Sequence, residues 1–139
     1  MITNTYSTTD GDLTQEQAWK LMSNVDNWKN WDPTVEDSKL HGNFETGVYF
    51  SLKTKGGPKA KILLAEVKPN SYYKDLAKLP LAEMIGEHFF EETPEGLKLT
   101  VTMSIRGPLS FLWNQIIMKD IVSRLPEDLK TLASEAKKQ

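Results

Sequence analysis

His88 and Asp75 are the residues of this chain whose types and spacing best suit proton transfer. Between Leu81 and Glu92 one strand face carries Met84, Gly86, His88 and Phe90, and the other carries Glu83, Ile85, Glu87, Phe89 and Glu91. Three carboxylates belong in water, so the period of two turns His88 inward. An imidazole in an apolar interior can act as a general base or fix a ligand carbonyl by hydrogen bonding. In the preceding segment Tyr73, Asp75, Ala77 and Leu79 oppose Tyr72, Lys74, Leu76 and Lys78. With the lysines outside, Asp75 is inward on the neighbouring strand and could hold the imidazole tautomer. The same pattern suits an internal histidine bonded to its neighbours and an aspartate solvated at a strand bend.

Asp120 and Arg124 form a second pair, here of opposite charge. At ~100° per residue they fall about 20° and 60° from Leu109, within or beside an apolar arc of Leu109, Leu112, Trp113 and Ile116. Two charges on a buried helix face must be paired, because stranding one costs about 3–5 kcal/mol. Arg124 would then meet a ligand carboxylate or phosphate, or serve only in an intrahelical pair. Trp28, Trp31, Phe50, Tyr73, Phe90 and Trp113 are the large groups available to wall a cavity, with Met84, Met103 and Ile116 as smaller ones. Gly86, mid-strand and inward, leaves room for a ligand or a neighbouring ring.

Several chemistries are excluded or weakened. Cysteine is absent, which removes disulfides, thiolate metal sites and a cysteine nucleophile. His41 and His88 are the only histidines and lie far apart, without metal-ligand spacing, so neither a metal nor a cofactor is expected. No G-x-S-x-G turn presents a serine. Lys plus Arg number 17 against 19 acids, a formal charge of −2, and Arg106 and Arg124 are the only arginines, so nucleic-acid binding is not expected. Lys53, Lys55, Lys59 and Lys61 crowd a hairpin around Gly56-Gly57-Pro58, a patch that suits an anionic ligand, a membrane surface, or merely a solvated tip protecting strand edges.

These side chains need elements to hold them. Ile2 to Thr9 reads as a strand ended by Asp10-Gly11. Thr14 and Gln17 make a capping box that starts a helix near Gln15. Trp28 and Trp31, three apart, share one side of a short helical turn before Pro33. Val35–His41, Gly47–Lys55, Lys59–Val67, Tyr72–Leu79, Leu81–Glu92 and Leu97–Ile105 read as strands separated by Gly, Pro and Asn turns, and connections this short imply an antiparallel meander. After Gly107-Pro108 a helical period runs to Ala136. Pro126 is expected to bend it near Val122–Leu125, with Leu125, Leu129, Leu132 and Ala136 on an arc rotated from the first.

With 139 residues, 39% hydrophobic and 26% charged, the chain reads as one globular domain, residues 1–139. The N-terminus lacks the basic start and apolar run of a secretory signal, and no apolar stretch approaches ~18 residues. The expectation is a soluble, cytoplasmic protein without integral membrane association. Nothing in the pattern sets an oligomeric state.

The order strand, two small helices, antiparallel strands and long C-terminal helix resembles the SRPBCC (START-like) superfamily. The resemblance rests on Ala18-Trp19, Val25-Asp26-Asn27-Trp28-Lys29-Asn30-Trp31-Asp32-Pro33, Leu40-His41-Gly42-Asn43-Phe44-Glu45-Thr46-Gly47, Gly107-Pro108-Leu109 and Arg124-Leu125-Pro126. It is nearest the bacterial polyketide cyclase/dehydrase-like group and spans Thr8 to Lys137. It implies an α+β helix-grip fold, a curved sheet of about seven antiparallel strands around the last helix with a hydrophobic cavity between. The expected function is binding of a hydrophobic or amphipathic small molecule, lipid- or polyketide-like. Alternatives are a cyclase/dehydratase-like enzyme with His88 as general base and a protein-interaction domain of the chaperone-activator type.

Overall fold

The computed structural model describes residues 1–138. β1 (Ile2–Asp10) leads to α1 (Gln15–Ser23) and a 3₁₀ helix (Val25–Asn30). Then come β2 (Val35–Leu40), β3 (Tyr49–Thr54), β4 (Lys59–Lys68), β5 (Tyr72–Leu79), β6 (Ala82–Thr93) and β7 (Gly96–Arg106). α2 (Ser110–Trp113), a π turn (Asn114–Met118) and α3 (Lys119–Ala136) complete the chain. The capping box forms: the Thr14 hydroxyl accepts from Gln17 N–H while the Gln17 side chain accepts from Thr14 N–H.

All strands join one seven-stranded antiparallel sheet, ordered β1-β7-β6-β5-β4-β3-β2. The chain meanders from β2 to β7, and β1 returns to pair along β7 from Ile2 opposite Ile105 to Asp10 opposite Leu97. Period-two patterning sorts the two faces. On β7, Leu97, Leu99, Val101, Met103 and Ile105 are buried, while Thr100 and Thr102 point away and bond Ser7 and Thr5 of β1. The inner face, α1 and α3 enclose the core, to which Leu21, Phe50, Leu64, Tyr73 and Phe90 contribute. This is the helix-grip architecture that the resemblance implies.

The last helix departs from its sequence reading. Its buried stripe runs through Met118, Leu125, Leu129, Leu132, Ala133 and Ala136, which share one side at ~100° per residue. In a straight α-helix counted from Leu109, Met118 falls on the side opposite the expected arc. Leu112 and Ile116 of that arc are accordingly exposed while Leu109 and Trp113 are half-buried, and Phe111, on the other side, is exposed as well. The two arcs therefore oppose each other already in the straight-helix count, and only the Met118–Ala136 side is covered by the sheet; a π turn at Asn114–Met118 lies between the two segments. The helix continues unbroken through Pro126, and the irregularity in its ladder lies two turns earlier.

Candidate functional site

Between the sheet and α3 lies a cavity of about 260 Å³, open on one side. Strand parity builds its floor. β5 and β6 pair with Tyr73 opposite His88 and Asp75 opposite Gly86, so the inward side chains of Tyr73, His88 and Asp75 meet beside Gly86. His88 Nε2–H donates to Asp75 Oδ2 at 2.9 Å, and the two side chains are 19% and 20% exposed. A carboxylate only accepts, so that bond takes a proton on Nε2, and in the tautomer with that single N–H the acceptor nitrogen is Nδ1. The Tyr73 ring stacks on the imidazole, 4.1 Å between centroids and 8° between planes, and fixes its orientation. Burial, with Asp75 alongside, pushes the Tyr73 hydroxyl well above its ordinary 10.0, so this phenol stays neutral.

Gly86 is the seat of the pair. A Cβ there would stand 2.8 Å from Asp75 Oδ1 and 3.1 Å from His88 Nε2. The space its missing side chain leaves is thus filled by the Asp75 carboxylate and the neighbouring His88 ring, not by a ligand.

The opposite wall is different. Trp31 and Asp32 follow the 3₁₀ helix, and Asp128 lies on α3; all three line the cavity. Trp28 also lines it but has spent its donor, Nε1–H bonding Met22 O at 3.0 Å. Trp31 Nε1 is buried without a hydrogen-bond partner among the described residues. Asp32 Oδ1 accepts from both the backbone and hydroxyl of Thr34. Burial raises the Asp128 carboxyl above its ordinary 3.8; Asp32 nearby adds to the rise and Arg124 opposes it.

Of the residues singled out from sequence, Trp28, Trp31, Phe50, Tyr73, Asp75, Met84, His88, Phe90 and Met103 line the cavity. The others do not. Trp113 sits at the end of the sheet, its Nε1–H bonding Pro80 O at 2.8 Å. Ile116 is on the surface. Asp120 and Arg124 form an i,i+4 ion pair of 3.3 Å with side chains 71% and 38% exposed, not a buried pair, because both lie about 200–240° around α3 from the buried Met118–Ala136 stripe. Asp128 was legible and missed: three residues after Leu125 and four before Leu132, it interrupts the buried stripe with a charge. Asp32 had no such signal. Among the described residues, no group of three His, Asp or Glu is placed to hold a metal ion.

Comparison with known proteins bears on this geometry. A family model described as "Polyketide cyclase / dehydrase and lipid transport" matches residues 3–136. No curated protein matches. Among solved structures, the di-domain ARO/CYC StfQ from the steffimycin biosynthetic pathway is 14% identical, with a TM-score of 0.80 over 99% of this chain and 51% of that one. Ara h 8.0201 is 10% identical, with a TM-score of 0.75 over 99% of both chains. Norcoclaurine synthase from Thalictrum flavum is 12% identical, with a TM-score of 0.71 over 99% of this chain and 84% of that one. At these identities the likeness is one of fold.

Proposed function

Since the chain belongs to the polyketide cyclase/dehydrase and lipid transport family, we propose that it binds a small hydrophobic or amphipathic molecule whose polar end meets His88 and Asp75. The observation that carries this reading is the cavity itself, walled by Trp28, Phe50, Met84 and Met103 and floored by one hydrogen-bonded polar pair. Apolar walls with few convergent polar groups are the general make-up of small-molecule sites. Size narrows the guest. A volume of 260 Å³ equals the liquid volume of about nine waters, and it lies just under the roughly 300–1,000 Å³ common for ligand pockets. A compact molecule of one or two rings, or a short acyl chain, fits that space, and a two-chain lipid does not. His88 Nδ1 accepts from a guest hydroxyl.

Native mass spectrometry of the purified protein, with thermal shift against a panel of fused-ring phenols and medium-chain acids, tests this. The expected result is a co-purifying mass or a stabilised melting transition that weakens in His88→Gln. Empty protein with no shift across the panel overturns the reading.

A second reading has its own observation. The Asp75–His88 bond is the arrangement that orients a general base, so His88 Nδ1 could remove an acidic proton beside a carbonyl of the bound molecule. Tyr73, held neutral, cannot be that base. The enzyme reading requires turnover of a poly-β-ketone substrate that His88→Gln abolishes while binding persists; binding alone requires none.

A further inference from the structure

One end of the sheet carries features that the cavity does not use. β4 lies beside β5 with Ile62 opposite Ala77, so the β3–β4 hairpin and the β5–β6 turn leave the sheet at the same end. The end of β7 and the start of β1 join them, since Ile2 faces Ile105. α2 is tied there by Leu109 N–H donating to Leu81 O at 3.0 Å and by Trp113 Nε1–H donating to Pro80 O. Among the described residues six large apolar side chains are exposed, and five of them, Met1, Leu81, Phe111, Leu112 and Ile116, lie on these segments or on the π turn that continues α2. Single exposed leucines are ordinary, whereas a cluster at one end is not.

Leu81 adds an independent observation. It is 65% exposed and has φ of +56°, a left-handed conformation normally left to Gly or Asn. A strained turn occupied by an outward leucine marks a side chain that serves the surface rather than the fold. Charge gives the third. Lys55 and Lys59 at the hairpin, Lys78 before the turn and Lys119 after the π turn have no ion-pair partner among the described residues. The neighbouring acids are engaged, Glu83 with Arg106 at 3.1 Å, Glu36 with Lys53 at 2.9 Å and Asp120 with Arg124. A chain of net charge −2 therefore presents uncompensated positive charge around its one apolar end.

We propose that this end docks on an anionic lipid bilayer, with Phe111, Leu112 and Leu81 entering the headgroup boundary and the four lysines meeting lipid phosphates. A second copy of the chain is the poorer occupant, because a two-fold contact would bring the same lysines face to face. The cavity wall approaches this end through Met84 and Ile121, which places a bound guest beside the bilayer. The docking does not depend on the identity of that guest or on His88.

Co-sedimentation with vesicles of equal parts phosphatidylcholine and phosphatidylglycerol, against pure phosphatidylcholine, tests it with the full chain. The protein is expected to bind the anionic vesicles and to release in high salt, with each lysine lost lowering partitioning about fivefold. Lys55→Glu with Lys59→Glu, and separately Phe111→Ser with Leu112→Ser, are expected to weaken binding while the circular dichroism spectrum is unchanged. Leu81→Asn is expected to melt no lower than the parent, since Asn suits the left-handed turn, yet to bind more weakly. His88→Gln binds vesicles as the parent does, so failure of guest binding and failure of docking are separable. No binding to the anionic vesicles, or binding that these surface variants leave intact, overturns the proposal. So does a concentration-dependent dimer that Phe111→Ser with Leu112→Ser dissolves, which assigns the patch to a second copy.

Discussion

Two polar pairs, Asp75–His88 and Asp120–Arg124, are within reach of the cavity on a reading of sequence spacing alone, and the fold gives them opposite fates. The first spans two strands, lies four-fifths buried and closes at 2.9 Å. The second follows one helix, reaches 3.3 Å and stands in solvent. The difference lies in how each element fixes side-chain direction. A strand offers two faces, and one row of carboxylates decides between them. A helix offers a continuous circle, and the face counted from Leu109 lies opposite the stripe from Met118 to Ala136 that the sheet covers.

That contrast can be pressed at graded cost. Gly86→Val places branched bulk where Asp75 and His88 already stand within about 3 Å, and should cost the most, about 3 kcal/mol by the precedent for overpacking. Chemical denaturation measures the loss, and the His88 ring resonances should shift as the pair separates; an unchanged spectrum would mean that the pair does not close over Gly86. Asp75→Asn keeps the shape and removes the charge. Hydrogen bonds to charged groups contribute about 1.5–3 kcal/mol, and with both side chains about one-fifth exposed the lower end is expected.

Asp128→Asn should act in the reverse direction. Burial and Asp32 hold this carboxyl above its ordinary 3.8 in the folded state. The unfolded chain therefore loses its proton first as pH rises. Asp128 thus withdraws stability between its unfolded and folded values, and the deficit persists at neutral pH. The Asn variant should melt higher than the parent at pH 7, with the difference vanishing in acid below about 3.8; equal melting at both pH values would place the carboxyl in water. Asp120→Ala is the smallest change, at most about 0.5 kcal/mol for an exposed i,i+4 pair. A loss as large as that of Asp75→Asn would erase the distinction between the two regions.

The polar floor of the site was legible because strand parity is a local property. Alternation on β6 turns His88 inward, and alternation on β5 does the same for Asp75. Their mutual contact required only that consecutive short-linked strands pair. The acidic wall was legible in part: Asp128 breaks the α3 stripe visibly, whereas Asp32 reaches the cavity only because the 3₁₀ helix sets the loop of Trp31 against it. The space at Gly86 was read as room for a ligand or a neighbouring ring, and it is the His88 ring, with the Asp75 carboxylate, that takes it.

Sequence alone determined the order of elements, the inner face of each strand, the capped start of α1 and the buried second half of the last helix. These follow from periodicity and from backbone chemistry that acts within a few residues. Tertiary structure alone decided which of the two arcs of the last helix is covered, and with it the surface fate of Asp120 and Arg124, and it decided the burial of the Trp31 N–H. Each depends on which face a neighbouring layer covers, and that is settled by packing between segments distant along the chain.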